Sequence, residues 1–427
     1  MLNFNKHSRY FFALLVIAWL LTSVGCLKKS PLSSNNSLSS APVIFLAQAQ
    51  FRNEMGEDGQ THSVPGAAKL TLVRKTYHGW ESTILEDAQS NVFHKALWFV
   101  PPEGSPGILT IGANAAALKL WHYNGKNWED TVLWSPTFGG TQNRLRDLEV
   151  GEVTGDGIQD LVIATHDQGI IAVLQWINGT WEVTELDRTP DTFVHEIEIG
   201  DVNGDGMQEF FATPSAPNRL DGTPQPGKII MYRFDGEHFV RSIVEELPRR
   251  HVKEILIADI TGSGSPTLFA AIEGEMSMVH GRPQLLDTVK IKQYQWEEGM
   301  FSGRVIADLP DMLCRYLTAG DVDADGIIDI VASTMKSGIW ILRQKADGAW
   351  EKTLIDDNSS GFEHATIIAD FDSDGRQEIF VASDDQHFLR LYKWNGKIFQ
   401  RKDLIPLQID DITFGLTFGH PPFDFIP

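Results

Sequence analysis

Residues 201–210, DVNGDGMQEF, place oxygen-bearing side chains at alternate positions and so raise the question of a bound cation. Asp201, Asn203 and Asp205 stand at positions 1, 3 and 5, and Glu209 stands at position 9. Position 7 can add its backbone carbonyl, and Gly206 at position 6 permits a sharp bend. Calcium is a hard cation that takes six to eight oxygens, so this donor set suits a structural calcium loop. An EF-hand would place its last acid at position 12 and enter a helix. Here the acid comes at 9 and an apolar, strand-like run follows. Two further decapeptides fill the pattern: DVDADGIIDI with Asp321, Asp323, Asp325 and Asp329, and DFDSDGRQEI with Asp370, Asp372, Asp374 and Glu378. EVTGDGIQDL is a poorer donor set, with Glu152, Asp156 and Asp160 but Thr154 at position 3. DITGSGSPTL (259–268) lacks the acid at 9 and reads as a turn held by side-chain to backbone bonds. Structural Ca2+ is therefore the expected cofactor.

A second set of residues emerges by counting back six positions from the start of each loop. The count reaches His94, Arg146, His195, Lys253, Arg315 and His364, and in the last repeat Phe414. Six basic or imidazole groups in register are unexpected in a chain with 57 acidic residues against 36 Lys and Arg. Gathered at one opening, they would focus field on an anionic or polyhydroxyl ligand. Alternatively, His94, His195 and His364 would share a metal, although they belong to three separate repeats. Polar residues at solvent-washed strand starts produce the same pattern without any ligand.

The elements that must position both sets follow from the repeat. The five loops begin at 152, 201, 259, 321 and 370, spacings of 49, 58, 62 and 49 residues, the range of propellers and solenoids. Seven Gly-ending turns between alternating apolar runs (at 78–79, 124–125, 178–179, 235–236, 298–299, 347–348 and 395–396) mark hairpins. An aromatic residue follows each turn: Trp80, Trp128, Trp181, Phe239, Phe301, Trp350 and Phe399, rings suited to the space between neighbouring sheets. Each unit reads as four short antiparallel strands, the acidic loop joining the first to the second and the Gly turn joining the third to the fourth. A unit that has lost its acidic loop spans HKALWFVPPEGSPGILTIG. One more is split, its last three strands at the chain start (VIFLAQAQ, KLTLVRK, WESTIL) and its first at the chain end (ITFGLTFG). The fold class is all-β: a seven-bladed β-propeller of four-stranded blades, closed by pairing N- and C-terminal strands, which removes free sheet edges. Strand direction puts the acidic loops and Gly turns on one face and the basic ring on the other. The two longest insertions, 213–228 and 273–290, share the ring face and offer Asn218, Arg219, Glu275, His280 and Arg282.

The D-x-[DN]-x-D-G-x-x-[DE] loops set in β-hairpins resemble the FG-GAP/VCBS repeats, a superfamily that includes the propeller of integrin α subunits. That resemblance covers about residues 44–427 and implies calcium held for structural reasons. It says little about function, because such folds host many. Some FG-GAP-like propellers occur in carbohydrate-active enzymes.

Residues 1–25 read as a lipoprotein-type signal peptide, with Lys6 and Arg9 ahead of the apolar run FFALLVIAWLL. LTSVGC resembles the lipobox of bacterial lipoproteins, with Ser23 where that family usually has leucine. The resemblance implies lipidation of Cys26 and, with Leu27 next, sorting to an outer membrane where the cell has one. An ordinary secretory peptide cut nearby is the alternative. Residues 26–43 are a Ser/Asn-rich tether, and the propeller occupies 44–427. If Cys26 carries lipid, Cys314 has no disulfide partner. A net charge of −21 argues against nucleic acid. No nucleophile elbow, phosphate-binding glycine loop, HExxH or CxxC occurs. The reading is a lipid-anchored envelope propeller, monomeric and touching the membrane only through its lipid, that binds an envelope protein or a carbohydrate or anionic small ligand. One alternative is a carbohydrate-active lyase, epimerase or hydrolase with His195, His364 and Arg315 as acid, base and charge clamp. Another is a scaffold in envelope assembly.

Overall fold

The computed structural model describes residues 40–56, 59–219, 223–422 and 425–426. The leader, Cys26 and all but the last four residues of the tether lie outside the described residues. Seven four-stranded antiparallel sheets form the molecule. The one helical element among the described residues is a 3-10 turn at Asp384–Gln386, and no helix is long and apolar enough to cross a membrane. The first strands of blades 1 to 7 are Phe93–Phe99, Leu145–Gly151, Phe193–Gly200, Val252–Ala258, Cys314–Gly320, Thr366–Ala369 and Asp411–Gly419. Each touches the first strands of the blades before and after it, so the seven close a ring around a central channel. Blade 7 is the split one. Val43–Met55 pairs with Asp411–Gly419, Val43 lying opposite Gly419 and Gln50 opposite Asp411.

Local chemistry explains the repeat. At Asn178-Gly179 and Glu298-Gly299 both residues have positive φ (50° and 84°; 50° and 85°), the backbone of a tight turn that matches strand twist. The aromatic residue on each fourth strand packs against the preceding blade. Trp80 lies 4.8 Å from Phe371, Trp181 6.2 Å from Phe99, Phe301 5.8 Å from Phe211, and Trp350 5.9 Å from Phe269. Phe239 and Phe399 join the apolar clusters between blades 2 and 3 and between blades 5 and 6. The core therefore lies between sheets, and each blade contributes one large ring to a shared seam.

A second regularity lies at the start of the inner strands. In blades 1, 2, 4 and 5 the pairing with the second strand skips one residue: His94, Arg146, Lys253 and Arg315. Blade 3 skips His195 with Glu196, and blade 7 skips Phe414. These are β-bulges, and a bulge turns an extra side chain toward a face it would otherwise leave. At the equivalent place in blade 6, His364 has φ 58°.

Candidate functional site

Five of the six expected ring residues start inner strands at the channel mouth, and all five are buried or nearly so. Around them the fold gathers partners that were not identified in the sequence. His166, at the end of the second strand of blade 2, puts Nε2 3.4 Å from Nδ1 of His195. Ring centroids run in an arc: His94 to His166 6.2 Å, His166 to His195 4.8 Å, His195 to His251 6.1 Å. Two carboxylates tie the cations together. Glu363 Oε1 accepts from Arg315 Nη1 at 2.7 Å, and its Oε2 lies 3.6 Å from Arg146 Nη2. Glu273 lies 3.5 Å from both Lys253 Nζ and Arg315 Nε, and 3.6 Å from His251 Nδ1. Lys253 also donates to Asn218 Oδ1 at 2.6 Å, so the first inserted segment does reach the ring. Phe362 covers the Arg315 guanidinium at 4.2 Å.

His364 is not brought into this cluster. Its Nδ1 meets the Thr334 carbonyl at 2.6 Å and its Nε2 meets Ser359 Oγ at 2.8 Å, so it is a satisfied core imidazole. Burial pushes it down to about 4. The trio His195, His364 and Arg315 is thus not assembled as acid, base and clamp, and His94, His195 and His364 do not share a metal position. Blade 6 contributes Glu363 at the mouth instead. The sequence signal for Glu363, and for His251 two residues before Lys253, was proximity to the register position. Glu273 and His166 had none, because they come from the ends of second strands.

The electrostatics of the cluster are those of groups taken out of water. Burial, followed by the nearby cations, lowers His94, His166 and His195 well below the usual imidazole value, so they are neutral at pH 7. Burial pushes the Lys253 ammonium down to about 8, with Arg315 and Arg146 adding to the effect and Glu273 opposing it. Burial would raise the Glu273 carboxyl, but Lys253, His251 and Arg315 outweigh it and hold it at about 2. Nε2 of His94, His195 and His251 and Nδ1 of His166 are buried without a hydrogen-bond partner. Buried polar groups are usually paired, so this concentration of free donors and acceptors marks a place where water or a ligand completes the bonding.

The second inserted segment folds as a hairpin, Glu275–Val279 with Arg282–Asp287. Glu275 is held by Arg249 at 2.5 Å, while His280 and Arg282 stand exposed on the hairpin and Arg219 on the first insertion.

The acidic loops lie at the opposite end of the inner strands, and their donor sets can be tested against calcium. In blade 3, Asp201 accepts from the backbone of Gly204, Asp205 and Gly206 at 2.7–3.1 Å, and Glu209 Oε2 accepts from Val202 N at 3.1 Å. Asp205 and the Asn203 amide oxygen complete the set, with the Asn203 amide nitrogen donating to Glu209 Oε1, and among the described residues no basic side chain bonds to it. This loop fits a calcium ion. In blades 5 and 6, carboxylate oxygens of Asp321, Asp323 and Asp325, and of Asp370, Asp372 and Asp374, come within 4.8 Å of one another, which also suits a metal. There, however, a cation from the third strand already occupies the carboxylates. Arg343 binds Asp323 at 2.6 Å and Asp329 at 2.8 Å; Lys393 reaches Asp372, Asp374 and Glu378 at 3.0, 2.8 and 2.7 Å. Calcium at these two loops must displace or share with a built-in counter-ion. In blade 2, Glu152 Oε1 is taken up by the amides of Thr154, Gly155 and Asp156, and Asp160 by Val153 N and Thr154 Oγ1. The blade 4 turn is closed by Asp259 accepting from Ser263 N and Gly264 N, with Thr267 at its ninth position.

A separate cleft, about 540 Å³, opens between blades 5 and 6 on the acidic-loop side, lined by Asp323, Arg343, Trp394 and Phe399. It is remote from the imidazole arc and is a rival location for a ligand.

Ring, blades and loops together define a seven-bladed β-propeller. Residues 152–212 and 321–381, blades 2 to 3 and 5 to 6, match the FG-GAP-like repeat family. No curated protein matches the chain significantly. Among solved structures, an Agrocybe aegerita lectin that recognises non-reducing terminal N-acetylglucosamine is similar at 13% identity and TM-score 0.53, over 90% of this chain and 96% of the lectin. A putative 6-phosphogluconolactonase from Bacteroides uniformis aligns at 13% identity and TM-score 0.52, over 89% of this chain and 100% of that one. A second, from Bacteroides fragilis, aligns at 12% identity and TM-score 0.51, over 90% and 99%. At such identities the likeness is one of fold.

Proposed function

We propose that the protein is a calcium-stabilised, lipid-anchored cell-envelope propeller whose channel mouth binds a carbohydrate or anionic small ligand. The observation that carries this reading is the buried arc His94, His166, His195 and His251, whose unpartnered ring nitrogens stand among Arg146, Lys253, Arg315, Glu273 and Glu363. A hydroxyl-rich ligand offers donors and acceptors together, which is what a mixed set of imidazole, guanidinium and carboxylate groups can use. The lectin of similar fold lends the carbohydrate version support by analogy. The test is a glycan array probed with the mature chain and with Arg146→Ala and His195→Ala. Signals that vanish in both variants support the reading, and signals that neither variant alters refute it. The lipid anchor rests on the lipobox-like LTSVGC. Replacing Cys26 by Ser should abolish incorporation of labelled palmitate and release the protein from membranes.

A catalytic reading at the same mouth is favoured by the His166–His195 contact, because two neutral imidazoles side by side can pass a proton at neutral pH. Cleavage of a polysaccharide that His195→Ala abolishes would establish it.

A further inference from the structure

The channel just below the mouth carries the opposite charge from the mouth. On each inner strand the residues one and three places after the mouth residue lie on the same face of the strand. In blades 2, 3 and 4 these positions hold Asp147, Glu149, Glu196, Glu198 and Glu254. The one ammonium at this level is Lys95, and it is already taken by Asp147 at 3.0 Å and by Glu149. The other oxygen of Asp147 accepts from Ile197 N at 2.7 Å, and Glu254 accepts from Leu317 N at 3.0 Å, bonds that staple one blade to the next. Among the described residues Glu196, Glu198 and Glu254 form no ion pair. Burial, and then the neighbouring carboxylates, push all three well above the usual range. With Asp147 and Lys95 they surround a cavity of about 180 Å³ whose upper wall includes His94, Arg146 and Arg315. Nε2 of His94 and Nε of Arg315, both on that wall, are buried and lack a hydrogen-bond partner. The cavity is thus bipolar: unpaired acids below, unsatisfied imidazole and guanidinium atoms above.

A bare metal ion does not suit it. Among the described residues these carboxylates do not bring three oxygens within 4.8 Å of one another, as the two loop triads do. The space holds roughly six waters, more than one ion needs. We propose that the cavity takes the protonated amine of a small polar molecule, with the ammonium against Glu196 and Glu198 and hydroxyl or carboxylate groups reaching up to His94, Arg146 and Arg315. This rests on the mouth being a ligand site and narrows its ligand to an amine-bearing class, such as an amino sugar or an amino acid. An ammonium carries three donors and a compact positive charge, so it lets neighbouring carboxylates be ionised together.

The test is isothermal titration calorimetry of the mature chain at pH 7 with D-glucosamine, N-acetyl-D-glucosamine, D-glucuronate and 4-aminobutyrate. Glucosamine and its N-acetyl form differ in the charge under question and are expected to differ at least tenfold in affinity, glucosamine being the tighter. Glu196→Gln and Glu198→Gln should erase that preference while leaving the circular dichroism spectrum unchanged. Equal affinity for the two sugars, or a preference that survives both variants, overturns the proposal. If glucuronate or N-acetylglucosamine binds, depends on Arg146 and outcompetes the amines, the amine assignment falls and the mouth remains a ligand site. If none of the four probes binds, both readings fail for small polar ligands.

Discussion

Replacing Glu273 by Gln should remove about 3 kcal/mol of folding free energy at pH 7. Glu273 is 4% exposed, is the shared counter-ion of Lys253 and Arg315 at 3.5 Å, and lies 3.6 Å from His251 Nδ1. Its carboxyl lies at about 2 against a usual 4.5. Each unit of such a difference is worth about 1.4 kcal/mol, so the ionised side chain contributes about 3 kcal/mol. Because the folded value is depressed, the contribution is complete above about pH 4.5 and is lost as pH falls through about 2. Cutting one partner from a buried ion pair costs about 3–5 kcal/mol in other proteins, a consistent scale. Gln keeps the shape and removes the charge, leaving Lys253 with Asn218 as its near neighbour. The assay is urea unfolding of both proteins, followed by tryptophan fluorescence at pH 7 and at pH 3. The stability gap should be about 3 kcal/mol at pH 7 and shrink to about half at pH 3. Equal stability at pH 7, or a gap that does not change with pH, would refute the idea that Glu273 neutralises the mouth.

The other predictions concern metal, closure and packing. Chelation should lower the melting temperature, since a metal at a hundred times its dissociation constant stabilises by about 2.7 kcal/mol, and Asp201→Ala should blunt that response. Lys393→Gln and Arg343→Gln should strengthen calcium binding at blades 6 and 5, read by calorimetry with calcium alone, because each removes a competing cation. Phe45→Ala, a fully buried residue in the strand that closes the ring, should cost about 3–5 kcal/mol in urea unfolding. Trp350→Ala should have an effect on the same scale, because that ring spans the seam between blades 4 and 5 at 5.9 Å from Phe269.

Much of the architecture was legible because each blade repeats its own punctuation. The Gly turn, the aromatic residue after it and the acidic loop recur in register, and each has a local steric or electrostatic cause. Even the split blade could be recovered, since ITFGLTFG lacks only the company of its three partner strands. The register position six residues before each loop falls at the bulges of the inner strands in blades 2 to 5. A bulge is invisible in composition, yet it turns Arg146 or Lys253 toward the channel with its neighbour rather than away from it. His364 departs because its left-handed backbone and its bonds to Thr334 and Ser359 withdraw it. Glu273 and His166 could not be found from one strand alone, because the mouth is completed by residues from second strands that only the closed ring brings near. Arg343 and Lys393 were missed for a related reason. They stand on third strands, and pairing across the sheet sets them beside the loop acids.

The central claim is that the channel mouth is the binding site, and a crystal structure of the mature chain with the strongest ligand from the glycan array tests it most directly. Density is expected at the mouth, within hydrogen-bond distance of Arg146 and of at least one unpartnered nitrogen of His94, His166, His195 or His251. Density in the cleft between blades 5 and 6 with the mouth empty would contradict it.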